Sequence, residues 1–286
     1  MKYLVFLILL VSYFSFGQQL EPFQLYSKKG RKVSFKKLIR KVEDTQVILF
    51  GELHNNSIAH YIQLRLIQEL DKKNDLTLGA EMLEADNQKA LNAYLSDSIN
   101  QEGLDSVARL WGNYHTDYKP LVDFAKENKI PFIATNIPRK FASEVYRNGL
   151  ESLNEILTES EAKWVAPLPI AYDPELPSYK KMLSMMGGDH QNPNFPKAQA
   201  IKDATMAYFI EQALRKHESQ LVHFNGDFHS KNFEGIYWYL KHRNKGLSII
   251  TISTVEQKDV SKLEEKYEGQ ADFILVVDVE MTKTYQ

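Results

Sequence analysis

Two short segments share a pattern of residue types that can do chemistry. Gly51-Glu52-Leu53-His54 follows the apolar run Val47-Ile48-Leu49-Phe50, and Gly226-Asp227-Phe228-His229 follows Leu221-Val222-His223-Phe224-Asn225. Each reads as a glycine, an acid, one apolar residue and a histidine. An apolar run that ends in such a group reads as a buried strand with polar side chains at its tip. Other apolar runs end alike: Gly79-Ala80-Glu81-Met82 carries Glu81, and Pro131 to Ile137 carries Asn136 ahead of Pro138-Arg139. Two imidazoles and a carboxylate suit a divalent transition metal such as Zn, Mn, Co or Fe, with His54, His229 and Glu81 as ligands and one position open. Metal-bound water and a second carboxylate would then make a hydrolytic site, with Glu52 or Glu81 as general base. A single such motif is ordinarily a capping or core histidine. Two copies at matching strand ends, plus Glu81, favour a site, because buried acids are costly unless paired or ligated. His60, Asn136, Arg139, Asn225 and Asp227 are candidate supports around it.

The remaining histidines invite blander readings. His223 lies within a strand, His115 sits in a cluster with Tyr114 and Tyr118, and His217 and His242 suit exposed helix ends. Tyr172, Tyr179, Met182, Met185, Met186 and His190 form a separate aromatic and thioether cluster. Such a cluster more often packs a core, yet it is also material for a large apolar ligand such as a porphyrin. Tyrosinate is a known ligand type for haem iron.

The elements that position these residues alternate. Strands are expected over 46–52, 76–82, 131–137, 221–225, 247–253 and 273–279, after a small hairpin over 24–34 around Lys29-Gly30. Helices are expected over 35–42, 56–72, 84–95, 104–110, 117–128, 139–147, 179–186 and 198–217, and a further helix ends over 237–242. Ile58, Ile62, Leu66 and Leu70 make one stripe of the second helix. This is an α/β pattern: a mainly parallel β-sheet flanked by helices, with a smaller all-helical insertion around 84–128 and 140–217. Open sheets of this kind bind ligands at the carboxyl ends of their strands. The charged stretch 256–270 reads as a surface excursion.

Composition narrows the classes. The chain has 286 residues, a net charge of −2, 43% apolar and 25% charged residues, and no cysteine. Charges of both signs are dispersed, which excludes a nucleic-acid groove or polybasic membrane patch. Lys2, the apolar run Tyr3 to Phe16 and the small residues Ser15 and Gly17 make a secretory signal peptide over 1–17. The remainder, 18–286, is then one exported domain, periplasmic or secreted, with no integral membrane segment after cleavage. Without cysteine it carries no disulfide, no thiolate metal ligand and no lipid-anchored cysteine.

The segments Gly51-Glu52-Leu53-His54-Asn55-Asn56 with His60 and Gln63, then Glu81-Met82, Tyr118 with Pro120, and Asn136-Ile137-Pro138-Arg139, resemble the ChaN-like haem-binding family. Gln199, Asp203-Ala204-Thr205-Met206-Ala207, Asn225-Gly226 and His229 continue the likeness. That family lies within the Tiki, TraB and erythromycin-esterase-like superfamily. The resemblance implies haem binding linked to iron uptake, and a homodimer that holds two stacked haems with a tyrosine on each iron. Here Tyr179 is the chosen tyrosine, with His190 beside it and Tyr172 and Tyr118 as alternatives. Other branches of the superfamily are similar to metal-dependent or histidine-and-glutamate hydrolases, so a two-histidine, one-glutamate hydrolase is the alternative. The chain departs from the family's surface lipoproteins by having no cysteine.

Overall fold

In the computed structural model residues 21–185 and 192–285 are described. The expected signal peptide, Met186 and His190 therefore lie outside the described residues. Strands β1 (Phe23–Ser27) and β2 (Lys32–Val33) form the expected hairpin. Helix α1 (Phe35–Val42) follows, its first turn closed by the Ser34 hydroxyl, which accepts the Lys37 amide. Then come β3 (Val47–Glu52), α2 (Ser57–Leu70) and β4 (Leu76–Glu84). Helices α3 (Gln88–Leu95), α4 (Gln101–Val107) and α5 (Lys119–Glu127) lead to β5 (Phe132–Asn136). Helices α6 (Arg139–Asn148), α7 (Leu153–Ile156), α8 (Pro177–Met185) and α9 (Phe195–Lys216) lead to β6 (Gln220–Gly226). Helix α10 (Ile236–Arg243), β7 (Ile249–Gln257) and β8 (Phe273–Asp278) follow.

The eight strands form one sheet in the order β2-β1-β8-β7-β3-β6-β4-β5. The six from β8 to β5 are mutually parallel, and the β1–β2 hairpin adds antiparallel to β8. Every residue of β3 is buried, as a parallel strand covered on both faces requires. Ile48 and Phe50 join Val222 and Phe224 in the core under Leu38 of α1 and Ile62 and Leu66 of α2. Val47 and Leu49 point the other way, into a second core with Met206 and Ile210 of α9 and Leu240 of α10. The helical insertion thus supplies α9 as one cover of the sheet.

Element boundaries differ from the sequence expectation where local polar bonds decide them. Helix α4 begins earlier than expected because the Asn100 side chain accepts the Gly103 amide and sets the start. Strand β4 runs past Met82 to Glu84, which pairs with Asn136 across a register shift. Helix α5 is preceded by a π-type turn, Tyr114–Tyr118, a rare form that recurs at functional sites. Strand β7 takes in Glu256 and Gln257, opposite Val277 and Asp278, so the charged stretch begins inside the sheet. His223 is fully buried within β6. Its ring contacts Thr135 Oγ1 at 2.7 Å and Asn225 Oδ1 at 3.1 Å, and burial pushes it down to about 4, so it stays neutral.

Candidate functional site

The β3–β6 ladder sets Gly51 opposite Asn225 and Glu52 opposite Gly226. The two motifs therefore leave the sheet side by side. Each glycine makes room for the other motif. A Cβ on Gly51 would lie 2.9 Å from the Asp227 Cα, and one on Gly226 would lie 2.7 Å from His54 Nε2 and 3.5 Å from Glu81 Oε2. No side chain larger than hydrogen fits between the histidine of one motif and the strand of the other.

His54 is oriented by Glu52. The Glu52 carboxylate is buried and accepts from His54 Nδ1 (2.9 Å), the Tyr118 hydroxyl (2.7 Å) and the Gln63 amide (2.5 Å). His60 Nδ1 lies 3.4 Å from the same group. Burial alone would raise this carboxyl, but His54 and His60 hold it at about 2, so it is ionised. An ionised carboxylate only accepts, so Nδ1 carries the proton and donates. His54 Nε2 is left facing Gly226, in a side chain that is 31% exposed. The His54 backbone is fixed as well: its carbonyl accepts from Asn113 at 3.0 Å and from His60 Nε2 at 3.1 Å. His60 thus points back at the site from the first turn of α2. Burial opposes protonation of both imidazoles, yet Glu52 raises both above their ordinary value.

His229 sits in a second buried ion cluster. Its Nε2 lies 3.0 Å from Glu81 Oε1 and its Nδ1 2.5 Å from Asp203 Oδ1, while the Gln199 amide approaches Nδ1 at 2.8 Å. Glu81 Oε2 accepts the Gly226 amide at 2.7 Å. Glu81 lies just beyond Ala80, where the β4–β6 ladder ends and the register of β4 against β5 shifts. Burial works against the imidazolium, but the two carboxylates push His229 up to about 10. Burial raises Glu81 and His229 more than offsets it, so Glu81 is depressed well below the carboxylate range. Asp203 is pushed up to about 6 by burial and by Glu81, against the pull of His229. The cluster is an imidazolium held between two acids, titrating as a unit.

The expected trio of His54, Glu81 and His229 lies at one edge, where Glu81 pairs with His229 and His54 pairs instead with Glu52. Among the described residues no three histidine or carboxylate side chains are arranged to hold a metal ion. Both nitrogens of His229 already face carboxylates, and Glu81 is shared between His229 and a backbone amide. Of the supports, Asn225 ties β6 to the Ser230 hydroxyl (2.9 Å), and Asp227 accepts from the Ser253 hydroxyl and pairs with Lys231 (3.3 Å). Asn136 is buried apart from this edge contact set, its Oδ1 without a partner among the described residues. Arg139 is exposed at the start of α6.

A cleft of about 550 Å³ opens over His54 and His229, between Leu53, Met182, Phe195, Phe228, Lys231 and Tyr285. Tyr179 is not on its wall. That side chain is 2% exposed, stacked on Tyr172 with ring centroids 5.5 Å apart, and its hydroxyl has no partner among the described residues. Tyr118 is equally buried and its phenol is pushed far up by burial and Glu52. Asp203, Gln199 and Gln63 were visible only as pieces of a resemblance. Their own signal is a polar residue on a buried helix stripe: Asp203 beside Ala200, Ala204 and Ala207, and Gln63 between His60 and Ile67. Trp111, edge-on to His54 at 4.9 Å, Asp117 and Tyr285 gave no such signal.

Residues 38–240 match the family described as "Haem-binding uptake, Tiki superfamily, ChaN". The fold is similar to that of ChaN of Campylobacter jejuni, a protein described with cofacial haem binding. The TM-score is 0.65 at 16% identity, over 90% of this chain and 97% of that one. It is also similar to a succinoglycan biosynthesis protein, with a TM-score of 0.53 at 12% identity over 89% and 93% of the two chains. Likenesses at these identities show the fold alone. A curated relative, protein RETICULATA-RELATED 5, chloroplastic, of Arabidopsis thaliana, is 24% identical over 200 residues, 63% of this chain and 26% of that protein. The chain therefore spans about a quarter of that relative's length.

The ion cluster makes two stability predictions. His229→Ala leaves two buried acids without their counter-charge and costs about 3–5 kcal/mol in urea unfolding. The pH dependence has two limbs. Glu52 is lowered from 4.5 to about 2, so its contribution is whole above 4.5 and is lost as pH falls through 2. His229 is raised from 6.5 to about 10, so its contribution is whole below 6.5 and is lost as pH rises through 10. Melting temperature should fall on both sides of that window, and His229→Ala should flatten the alkaline limb. An alkaline limb of equal slope in the variant would contradict the assignment.

Proposed function

Because the chain belongs to the ChaN haem-binding uptake family of the Tiki superfamily, we propose that it is an exported protein that captures haem in the cleft at the ends of β3, β4 and β6, in the service of iron uptake. The observation that carries this reading is His54. Its Nδ1 is committed to a buried carboxylate, its Nε2 lies beside Gly226, and its partly exposed ring lines the cleft. An imidazole that donates one N–H to a carboxylate and offers the other nitrogen is the usual form of a metal-ligating histidine. Haem supplies an iron with axial positions to fill.

The cleft's residues suit that ligand. Phe195, Phe228, Met182 and Leu53 offer apolar faces to a porphyrin, and Lys231 offers a cation to its carboxylates. Of the tyrosines suggested by the resemblance, Tyr179 and Tyr118 are enclosed by packing, and Tyr172 is half-buried against Tyr179. With the donors at the cleft, the imidazole of His54 takes the role given to a tyrosine by the family resemblance. Export rests on the signal-like pattern of residues 1–17, and delivery to the periplasm or exterior follows from it. Among the described residues no helix is long and apolar enough to cross a membrane. The assembly implied by the resemblance is a homodimer holding two haems.

A second reading has one specific support. Glu52, Glu81, His229 and Asp203 beside His54 bury a density of charge that a passive ligand wall does not need. In a hydrolase, Glu52 would orient His54, and His54 Nε2 would take the proton from water. Both glutamates are engaged by imidazoles, so the base role considered for Glu52 and Glu81 passes to His54. A divalent metal would have to displace carboxylates from His229 first.

Haemin titration followed in the Soret band tests the first reading. Wild type should bind, and His54→Ala should weaken binding by tenfold or more. Gly226→Ala should do likewise, because its methyl group takes the space in front of Nε2. No Soret change, or the same affinity in His54→Ala, would count against haem capture by this site. Hydrolysis of p-nitrophenyl acetate that is lost in His54→Ala would favour the second reading.

A further inference from the structure

One wall of the cleft comes from a part of the chain beyond the family match, which ends at residue 240. After β8 the chain turns back across the strand ends. The Thr284 amide donates to the Asn55 carbonyl (3.0 Å), and the Asn55 side chain donates to the Tyr285 carbonyl (3.2 Å). Asn56 and Lys283 form an antiparallel bridge, and Lys283 pairs with Glu256, which also accepts the Asn56 side-chain amide at 2.8 Å. The Thr284 hydroxyl donates to Asp117 Oδ2 at 2.7 Å. That same oxygen accepts the Asn113 amide at 2.6 Å, and Asn113 also donates to the His54 carbonyl. One buried carboxylate therefore joins this strap to the turn that carries His54.

Burial explains only part of the strap: Met281 packs against the main core. No residue from Val279 to Tyr285 is buried, and Val279 and Tyr285 are 40% and 42% exposed. Its remaining fastenings are polar and run to the site, and they deliver Tyr285 to the cleft with His54 and Phe228. An aromatic ring kept partly in water beside an apolar cleft gains most when a flat apolar ligand covers it.

We infer that the segment Val279–Tyr285 is a working part of the ligand site, in which Tyr285 is an aromatic wall and Thr284, through Asp117, is a positioning residue for the His54 turn. The choice of haemin as one probe rests on the proposed haem function, whereas the strap's role does not. The full chain is titrated with haemin and, separately, with anilinonaphthalene sulfonate, an apolar aromatic probe without iron. Tyr285→Ala should weaken both by about tenfold, and Tyr285→Phe should restore both to within about twofold of wild type. Thr284→Val should weaken haemin binding and speed hydrogen exchange at the Asn56 and residue-284 amides. Unchanged affinities for both probes in Tyr285→Ala, or a Thr284 amide that exchanges in wild type as fast as in a free peptide, would overturn the inference. Loss of probe fluorescence in Tyr285→Ala without haemin binding by wild type would support the strap and count against haem as the ligand.

Discussion

The pairing of β3 with β6 is the constraint on which the rest of the edge depends. With Glu52 opposite Gly226, the histidine of the first motif arrives against the backbone of the second. A shift of one residue would exchange the two faces of β6 and send Val222 and Phe224 toward α9. The apolar alternation of both strands thus guards the register, and the register sets the chemistry. The glycines complete this. Each is small where the other strand's motif must pass, so the repeated glycine reflects mutual packing more than a turn.

What holds the edge together is charge, and charge is expensive in a core. Glu52, Glu81 and Asp203 are tolerated because imidazoles and amides satisfy them nearly completely. Replacing such clusters with apolar residues often stabilises a protein, so their presence points to use. The two clusters are not equivalent. His229 has both nitrogens against acids and is enclosed, which suits a structural counter-charge. His54 has one nitrogen held and one open, which suits contact with a ligand. The twin motif therefore places one histidine between two acids and the other at the wall of the cleft.

Much of this was legible in the chain. The strands, their alternation with helices and the polar residues at their tips follow from apolar runs and their terminators, which are local signals. Glu52, His54, Glu81 and His229 could be grouped because each ends such a run. The partners on helices could not be grouped this way: Asp203 meets His229 only after α9 is laid on the sheet, a long-range fact. Tyr179 shows the other limit. Its tyrosine- and methionine-rich surroundings more often pack a core but also suit a porphyrin pocket, and composition does not separate an accessible phenol from an enclosed one. The π-type turn before α5, which brings Tyr118 and Asp117 to Glu52 and the His54 turn, has no periodicity to announce it.

The strap sharpens how such a site is assembled. Parallel sheets leave their carboxyl edge open, and the loops there are held mainly by what they meet across the edge. In this protein the His54 turn is fastened on one side by Asn113 and His60 and on the other by residues 283–285. Asp117 touches both sets, since it accepts from Asn113 and Thr284 and lies 3.6 Å from His60. The family match over residues 38–240 takes in the histidines and carboxylates of both clusters, whereas residues 279–285 lie beyond it.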